Sequence, residues 1–143
     1  MYLVPVEVKE SSIDGKGVFA KDPITQNTIV WQYTEGHDSK MTKEDFSQLE
    51  ESAKVSLVRV AYLSPTTSMY VMPPEGDPAR YTNHNPSSNN ISVVIDKAIS
   101  DEPFFVANRN IKAGEEITND YLEFDDNSRE DRFKWLKPLP TNI

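Results

Sequence analysis

Proline is the feature that most constrains the fold of this chain, since ten of its 143 residues are proline. A proline ring removes a backbone N–H donor and clashes inside a helix, so frequent proline interrupts long helices and the interiors of sheets. Only 37% of the residues are hydrophobic. These observations predict one loop-rich globular domain with short elements, and they argue against a bundle of long helices.

Short apolar segments rich in β-branched and aromatic residues recur along the chain and predict strands. The expected strands cover residues 4–8, 18–20, 28–31, 70–72, 91–95 and 104–107. Many short strands with few helices indicate a fold class that is mainly β with α insertions.

Two helical segments are expected between and after these strands. Thr42 and Asp45 form an approximate capping box, which predicts a helix over residues 42–52. Residues 54–63 fit neither the helical nor the strand period, so both structures stay open there. Residues 129–136 predict a short helix near the end of the chain.

Several classes of protein and site are excluded by composition. The chain has no run of about 18 apolar residues and no segment typical of a secretion signal, so we expect a soluble protein. It contains no cysteine, which excludes disulfides, a cysteine nucleophile and thiolate zinc sites. Two histidines, His37 and His84, are too few for most imidazole metal sites, and we expect no structural metal.

The charge of the chain is acidic and uneven. A net charge of −8 argues against a general nucleic-acid-binding protein, because phosphate neutralisation needs clustered Lys and Arg. Residues 101–131 contain ten acidic and three basic residues, so ten minus three leaves −7 in this window. An acidic field beside a site would attract a lysine-rich partner, while the plain alternative is a solvated surface.

Three short motifs carry most of the chemical information. They are Gly15-Lys16-Gly17, then Arg80-Tyr81-Thr82-Asn83-His84, and finally Gly114-Glu115-Glu116-Ile117-Thr118-Asn119-Asp120-Tyr121. Each has a structural alternative: a hairpin turn, an asparagine that braces a loop, and a core aromatic residue after a strand. A phosphate-binding loop is excluded, because neither a Gly-Lys-Ser/Thr ending nor a Gly-x-Gly-x-x-Gly pattern is present.

Together and in this order, the motifs resemble the signature of SET-domain protein lysine methyltransferases. The resemblance implies a stand-alone SET domain over residues 1–143, built of small curved β-sheets with a C-terminal pseudoknot. It places a helical insert at residues 38–64 and a C-terminal flank, residues 125–143, that closes the site. Asn89 falls on the closing asparagine of the second motif. The implied activity is transfer of a methyl group from S-adenosylmethionine to the ε-amine of a protein lysine.

The resemblance also assigns roles to single residues. Tyr121 is the expected catalytic residue, whose hydroxyl orients the amine and the methyl group. The expected cofactor-binding residues are Gly15, Lys16, Gly17, Arg80, Tyr81, Asn83, His84, Tyr121 and Trp135. Trp135 would take the place of the zinc-bearing flank of other members, with Phe124 and Phe133 as the next candidates, although packing against the body is an open alternative for this tryptophan.

Three positions depart from the family pattern. Asn85 and Ser88 replace the usual serine and proline, and Asn119 stands where many members have Phe or Tyr. In the family, ring size and a hydroxyl-held water at the last position influence how many methyl groups are added. Glu116 and Asp120 are expected to hold the loop and sheet by hydrogen bonds rather than to act as bases.

The departures keep two other functions open. One is a non-catalytic SET-like module that binds a basic peptide or protein partner, and the other is a homodimeric structural subunit. For the enzyme, the expected substrate is a basic lysine-containing protein, with histones among the candidates. We expect no direct nucleic-acid or membrane contact, and a cytoplasmic location in a bacterial or viral setting or a nuclear one in a eukaryote.

Overall fold

Ten short strands, two α-helices and two turns of 3-10 helix make up residues 1–126, the part of the chain that this computed structural model describes. The strands are β1 (Val6–Glu10), β2 (Lys16–Ala20), β3 (Ile29–Trp31), β4 (Ser39–Met41), β5 (Tyr62–Leu63), β6 (Tyr70–Met72), β7 (Asn83–His84), β8 (Ile91–Val94), β9 (Phe104–Ala107) and β10 (Glu116–Asn119). The helices are α1 (Lys43–Ser47) and α2 (Glu51–Val58), and the 3-10 turns are Pro78–Tyr81 and Tyr121–Glu123. The predicted fold class, mainly β with α insertions, is confirmed.

Five of the six predicted strands agree with the structure at one end or both. The prediction for residues 4–8 was wrong at both ends, because β1 runs from Val6 to Glu10. Pro5 lies just before it and has no N–H for a sheet ladder. Its carbonyl oxygen instead accepts the N–H of Lys21 at 3.1 Å.

The first sheet brings the three sequence motifs together. Its strand order is β1-β2-β10-β7, with β10 antiparallel to β2 and parallel to β7. The parallel pairing sets Thr118 opposite Asn83 and Asn119 opposite His84. Because β2 begins at Lys16, the glycine-containing turn lies at the end of the same sheet.

A buried asparagine, Asn90, holds β10 in this position. Its Nδ2 donates to the carbonyl oxygen of Glu116 at 2.8 Å, and its Oδ1 accepts the N–H of Thr118 at 2.9 Å. Asn90 is 1% exposed, so these bonds are shielded from water. The preceding Asn89 is half-buried, and its Nδ2 donates locally to the carbonyl oxygen of Ile91.

The other two sheets complete the hydrophobic core. They have the strand orders β3-β9-β8 and β4-β6-β5. The main core takes buried side chains from all three sheets, among them Val18, Phe105 and Val71. Burying a side chain of this kind stabilises the fold by about 1.5–3 kcal/mol relative to leaving it exposed.

The insert between β4 and β5 contains both helices. The Oγ1 of Thr42 accepts the N–H of Asp45 at 3.1 Å, which confirms the predicted cap. The prediction of one helix over residues 42–52 was wrong, since α1 ends at Ser47 and α2 begins at Glu51. Ser47 Oγ donates to the carbonyl oxygen of Glu44 at 2.6 Å, a local bond that competes with continuation of the helix.

Residues 54–63, which the sequence left open, divide between the end of α2 and β5. No helix within residues 1–126 is long and apolar enough to span a bilayer. The helix predicted over residues 129–136 lies outside the described residues. The C-terminal pseudoknot stays a prediction, because most of its segment, residues 125–143, also lies outside them.

A fully buried carboxylate, that of Glu102 just before β9, contacts the sheet formed by β4, β6 and β5. It accepts hydrogen bonds from the hydroxyls of Tyr62 at 3.0 Å and Thr67 at 2.6 Å. Lys40 Nζ lies 3.3 Å from the same carboxylate. Burial, together with the neighbouring carboxylate, raises the pKa of Tyr62 well above its usual value.

Candidate active site

The first and second motifs meet at the side chain of Asn83. Its Nδ2 lies 3.2 Å from the carbonyl oxygen of Asp14, 3.0 Å from that of Lys16 and 2.8 Å from Oε2 of Glu116. An amide nitrogen carries two hydrogens, which these three acceptors share. Lys16 contributes its carbonyl to this cluster, and Gly15 makes the turn with a positive φ of 46° that favours glycine.

The carboxylate of Glu116 fills the space beside Gly17. A Cβ atom on Gly17 would lie 2.7 Å from Cδ of Glu116 and 3.1 Å from Nδ2 of Asn83, so a larger residue would displace the carboxylate. Ser11 Oγ donates to the same carboxylate, at 2.7 Å from Oε1. Glu116 therefore braces the loop as expected, and it also brings a negative charge to the cluster, which the sequence did not predict.

His84 and Tyr121 are held together by a hydrogen bond and a ring contact. The Nδ1 of His84 accepts the N–H of Tyr121 at 2.9 Å, and the ring centroids are 4.7 Å apart. Because Nδ1 accepts this bond, it is the unprotonated ring nitrogen. Asp120 lies 3.8 Å from it and caps the following 3-10 turn through the N–H of Leu122 at 3.0 Å.

The hydroxyl of Tyr121 is directed by a residue of the second motif. It donates to the carbonyl oxygen of Thr82 at 3.0 Å. The Oγ1 of Thr82 in turn lies 2.6 Å from the hydroxyl of Tyr2. Neither Thr82 nor Tyr2 was predicted to belong to the site, because Thr82 occupies the variable position of the second motif and Tyr2 lies far from all three motifs in the sequence.

Tyr121 also lines a cavity of about 80 Å³ whose wall combines aromatic and aliphatic side chains with the charged residues Arg59, Arg80 and Asp125. The aromatic residues of the wall are Tyr2, Trp31, Tyr62, Phe105, Tyr121 and Phe124. Phe124 packs edge to face against Phe105 and Tyr62, with centroid distances of 4.7 and 5.5 Å. Phe124, a secondary candidate from the sequence, thus forms part of this wall, while Phe133 lies outside the described residues.

Two residues that line the cavity each have a buried polar atom without a hydrogen-bond partner within residues 1–126. These atoms are Nε1 of Trp31 and Oδ1 of Asn119. The two residues are 5% and 6% exposed. Both atoms are shielded from water, and an unpaired buried polar group of this kind costs about 1–3 kcal/mol.

The remaining predicted residues are less closely gathered. Arg80 lines the cavity, but its Nε and Nη2 donate to the carbonyl oxygens of Pro73 and Pro74 at 3.0 to 3.1 Å. Tyr81 is 39% exposed, and no hydrogen bond in the described part of the chain joins its hydroxyl to the other predicted residues. Trp135 lies outside the described residues.

Acidic side chains follow Tyr121 at positions 123, 125 and 126. Burial raises the pKa of Glu123, and the charge of Asp120 acts in the same direction, while a hydrogen bond from the N–H of Val93 opposes them. Asp125 is buried and accepts the N–H of Leu63 at 2.9 Å. Among the described residues, no group of three or more potential metal ligands comes together.

Comparison with known proteins gives three findings. The family model described as SET domain matches residues 15–122. Histone-lysine N-methyltransferase 2D of Homo sapiens and of Mus musculus is 27% identical over 124 residues, which are 85% of this chain and 2% of each relative. The chain thus spans a small part of the length of these relatives.

A solved structure from Plasmodium falciparum, described as that of a proposed histone methyltransferase, is also similar. The TM-score is 0.57 with 21% sequence identity, over 82% of this chain and 93% of that one. At this identity the likeness concerns the fold alone.

Proposed function

The chain belongs to the SET-domain family, and from that premise we propose that it is a protein-lysine N-methyltransferase dependent on S-adenosylmethionine. The family match confirms the resemblance drawn from the three motifs. The observation that carries the proposal is the position of Tyr121. Its N–H donates to His84, which follows Asn83 in the sequence, and the residue also lines the cavity. Tyr121 therefore adjoins both the proposed cofactor site and the proposed lysine site.

The cluster around Asn83 fits the methionine end of the cofactor by its chemistry. The carbonyl oxygens of Asp14 and Lys16 and the carboxylate of Glu116 converge there and would attract an ammonium group. Gly15, together with Asn83, would hold the cofactor beside these oxygens. S-adenosylmethionine, when bound, supplies a sulfonium methyl group, and its transfer to a neutral amine leaves S-adenosylhomocysteine and a proton.

The cavity beside Tyr121 suits the side chain of a lysine. The aromatic and aliphatic side chains of its wall would bury the methylene groups of the lysine. Methyl transfer requires the neutral amine, and burial lowers the pKa of a lysine. The hydroxyl of Tyr121, at the wall of this cavity, would orient the amine for transfer.

A basic protein is the substrate class that the charge supports best. The net charge of −8 and the acidic residues after Tyr121 would increase the encounter rate with a lysine-rich partner, most strongly at low salt. The curated relatives are named as histone-lysine methyltransferases, which makes a histone-like protein the first substrate to test.

Labelled S-adenosylmethionine, incubated with histones and with a whole-cell protein extract, tests the activity directly. We expect label on lysine with the wild-type protein. Tyr121→Phe should lose about 100-fold in kcat and keep its affinity for the cofactor, because the hydroxyl positions the reacting groups without holding the cofactor. Unchanged turnover in this variant would remove Tyr121 from the catalytic role.

Calorimetry with the cofactor tests the Asn83 cluster separately. Asn83→Ala should weaken cofactor binding by about 10-fold or more, as expected for a lost hydrogen bond to a charged group. Asn89→Ala is the matched control and should leave the affinity unchanged, because within residues 1–126 the hydrogen bond of its side chain goes to the carbonyl oxygen of Ile91, away from the Asn83 cluster. If the wild-type protein binds no cofactor and labels no protein, a non-catalytic module becomes the better description.

A further inference from the structure

Tyr2 lies outside residues 15–122, which the family model matches, yet its side chain reaches the centre of the site. Its ring lines the same cavity as Tyr121, and its hydroxyl lies 2.6 Å from Oγ1 of Thr82. Burial raises the pKa of Tyr2, so the hydroxyl stays protonated at neutral pH. It is therefore a constant hydrogen-bonding partner of Thr82.

Thr82 connects the two tyrosines through different atoms. Its side chain pairs with Tyr2, while its carbonyl oxygen accepts the hydroxyl of Tyr121 at 3.0 Å. The N–H of Thr82 donates to Ala79 at 3.3 Å, a long bond at the end of the 3-10 turn. Because this backbone bond is weak, the side-chain bond to Tyr2 supplies the second point that fixes the direction of the carbonyl.

The segment that carries Tyr2 is itself held on the second sheet. The N–H of Leu3 donates to the carbonyl oxygen of Val30 at 2.8 Å, and Tyr2 forms an antiparallel bridge with Trp31. A support of this kind is effective only when its own position is fixed. The backbone pairing gives Tyr2 that fixed position.

We infer that Tyr2 is a positioning residue for the catalytic tyrosine and acts through Thr82. Its hydroxyl fixes Thr82, and Thr82 fixes the hydroxyl of Tyr121 at the wall of the cavity. This inference rests on the proposed function, since the position of the Tyr121 hydroxyl affects a rate only if the site transfers methyl groups. The side-chain hydrogen bonds of Asn83 go to Asp14, Lys16 and Glu116 and not to either tyrosine, so we expect cofactor affinity to stay unchanged when the Tyr2–Thr82 bond is removed.

Two conservative substitutions break the same hydrogen bond from opposite sides. Tyr2→Phe keeps the ring and removes the hydroxyl, and Thr82→Val keeps the shape and the carbonyl and removes Oγ1. Each should lower kcat by about 10-fold at unchanged KM, unchanged cofactor affinity and nearly unchanged Tm. The double variant should lose no more than either single one, because the bond is already absent.

Tyr70→Phe is the matched control, since Tyr70 is a buried tyrosine of the separate cluster around Phe46. It should leave kcat unchanged. Additive losses in the double variant would overturn the inference. So would a fall in kcat accompanied by a matching rise in KM and fall in Tm, because that combination indicates general loosening of the fold.

Nuclear magnetic resonance provides a test that needs no turnover. In protein labelled at the Cζ of tyrosine, the Tyr121 resonance is identified by its absence from Tyr121→Phe. It should shift in Tyr2→Phe and in Thr82→Val but stay in place in Tyr70→Phe. An unmoved resonance overturns the inference. A shifted resonance in a protein that labels no substrate supports the coupling of the two tyrosines and refutes the proposed function.

Discussion

Replacing Asn90 by alanine tests how β10 is held beside β7. The substitution removes both ends of one clamp, the donor to the carbonyl oxygen of Glu116 and the acceptor for the N–H of Thr118. Thr118 lies opposite Asn83 in the parallel pairing. Loss of the clamp therefore weakens the contact on which the assembly of the site depends.

The expected loss of stability follows from the number of groups left unpaired. Asn90 is 1% exposed, so both backbone groups stay away from bulk water. Each unpaired group costs about 1–3 kcal/mol, which gives about 2–6 kcal/mol together. A water molecule in the vacated space recovers part of this, and we expect about 3 kcal/mol. For a denaturant slope of about 2 kcal/mol/M, the urea midpoint falls by about 1.5 M.

Urea unfolding of the wild type, Asn90→Ala and Asn89→Ala, followed by tryptophan fluorescence at neutral pH, measures this loss. Asn89→Ala makes the same change of residue type at the neighbouring position and serves as the control. Loss of its local, half-buried hydrogen bond should lower the stability by less than about 1 kcal/mol. Equal losses in the two variants would refute the argument, as would a loss below about 1 kcal/mol for Asn90→Ala.

Three further substitutions test other contacts. Gly17→Ala should displace the carboxylate of Glu116 and weaken cofactor binding by about 10-fold, measured by calorimetry, and an unchanged affinity would contradict the placement of that carboxylate. Arg109→Ala should cost at most about 1 kcal/mol at neutral pH, measured by thermal unfolding. The hydrogen bond from Arg109 is the main cause of the lowered pKa of Glu115, whose ordinary value is 4.5, so this stability is present above that pH and lost as pH falls through the lower folded pKa. A stability difference between the wild type and Arg109→Ala that persisted at about pH 2 would argue against the Arg109–Glu115 ion pair as its cause. Lys40→Ala leaves the buried carboxylate of Glu102 without its cation and should lower the stability by about 3 kcal/mol in urea unfolding. A loss near zero would contradict this expectation.

The strands were predictable because their signal is local. Each segment is a short apolar run rich in β-branched or aromatic residues, with polar or proline-containing turns around it, and five of the six strands agree at one end or both. The helix after Thr42 shows the limit of local reasoning. Its cap is set by two residues close in sequence, whereas its end depends on the Ser47 side chain and on packing of Phe46 against Tyr70 at a centroid distance of 4.2 Å.

The site divides in the same way. Asn83, His84 and Tyr121 stand in motifs whose order along the chain resembles a known family, and the structure brings them together through β7 and β10. Tyr2 was not predictable, because its contact with Thr82 spans 80 residues and depends on the complete sheet arrangement. Trp135 stays a prediction from the family resemblance.

The central pairing of the site is too short to be stable by its own backbone hydrogen bonds. β7 contains two residues and pairs with β10 at two positions, fewer than the three residues of an ordinary short strand. The side chains of Asn83 and Asn90 supply the missing bonds. Asn83 bonds to the turn before β2, to the first residue of β2 and to Glu116, and Asn90 bonds to the backbone of β10. Substitutions at these two asparagines should therefore have different main effects. Loss of the Asn83 side chain should mainly lower cofactor affinity, and loss of the Asn90 side chain should first lower the free energy of unfolding. Their double variant should show coupling in cofactor affinity, because both side chains act on the same two-residue pairing.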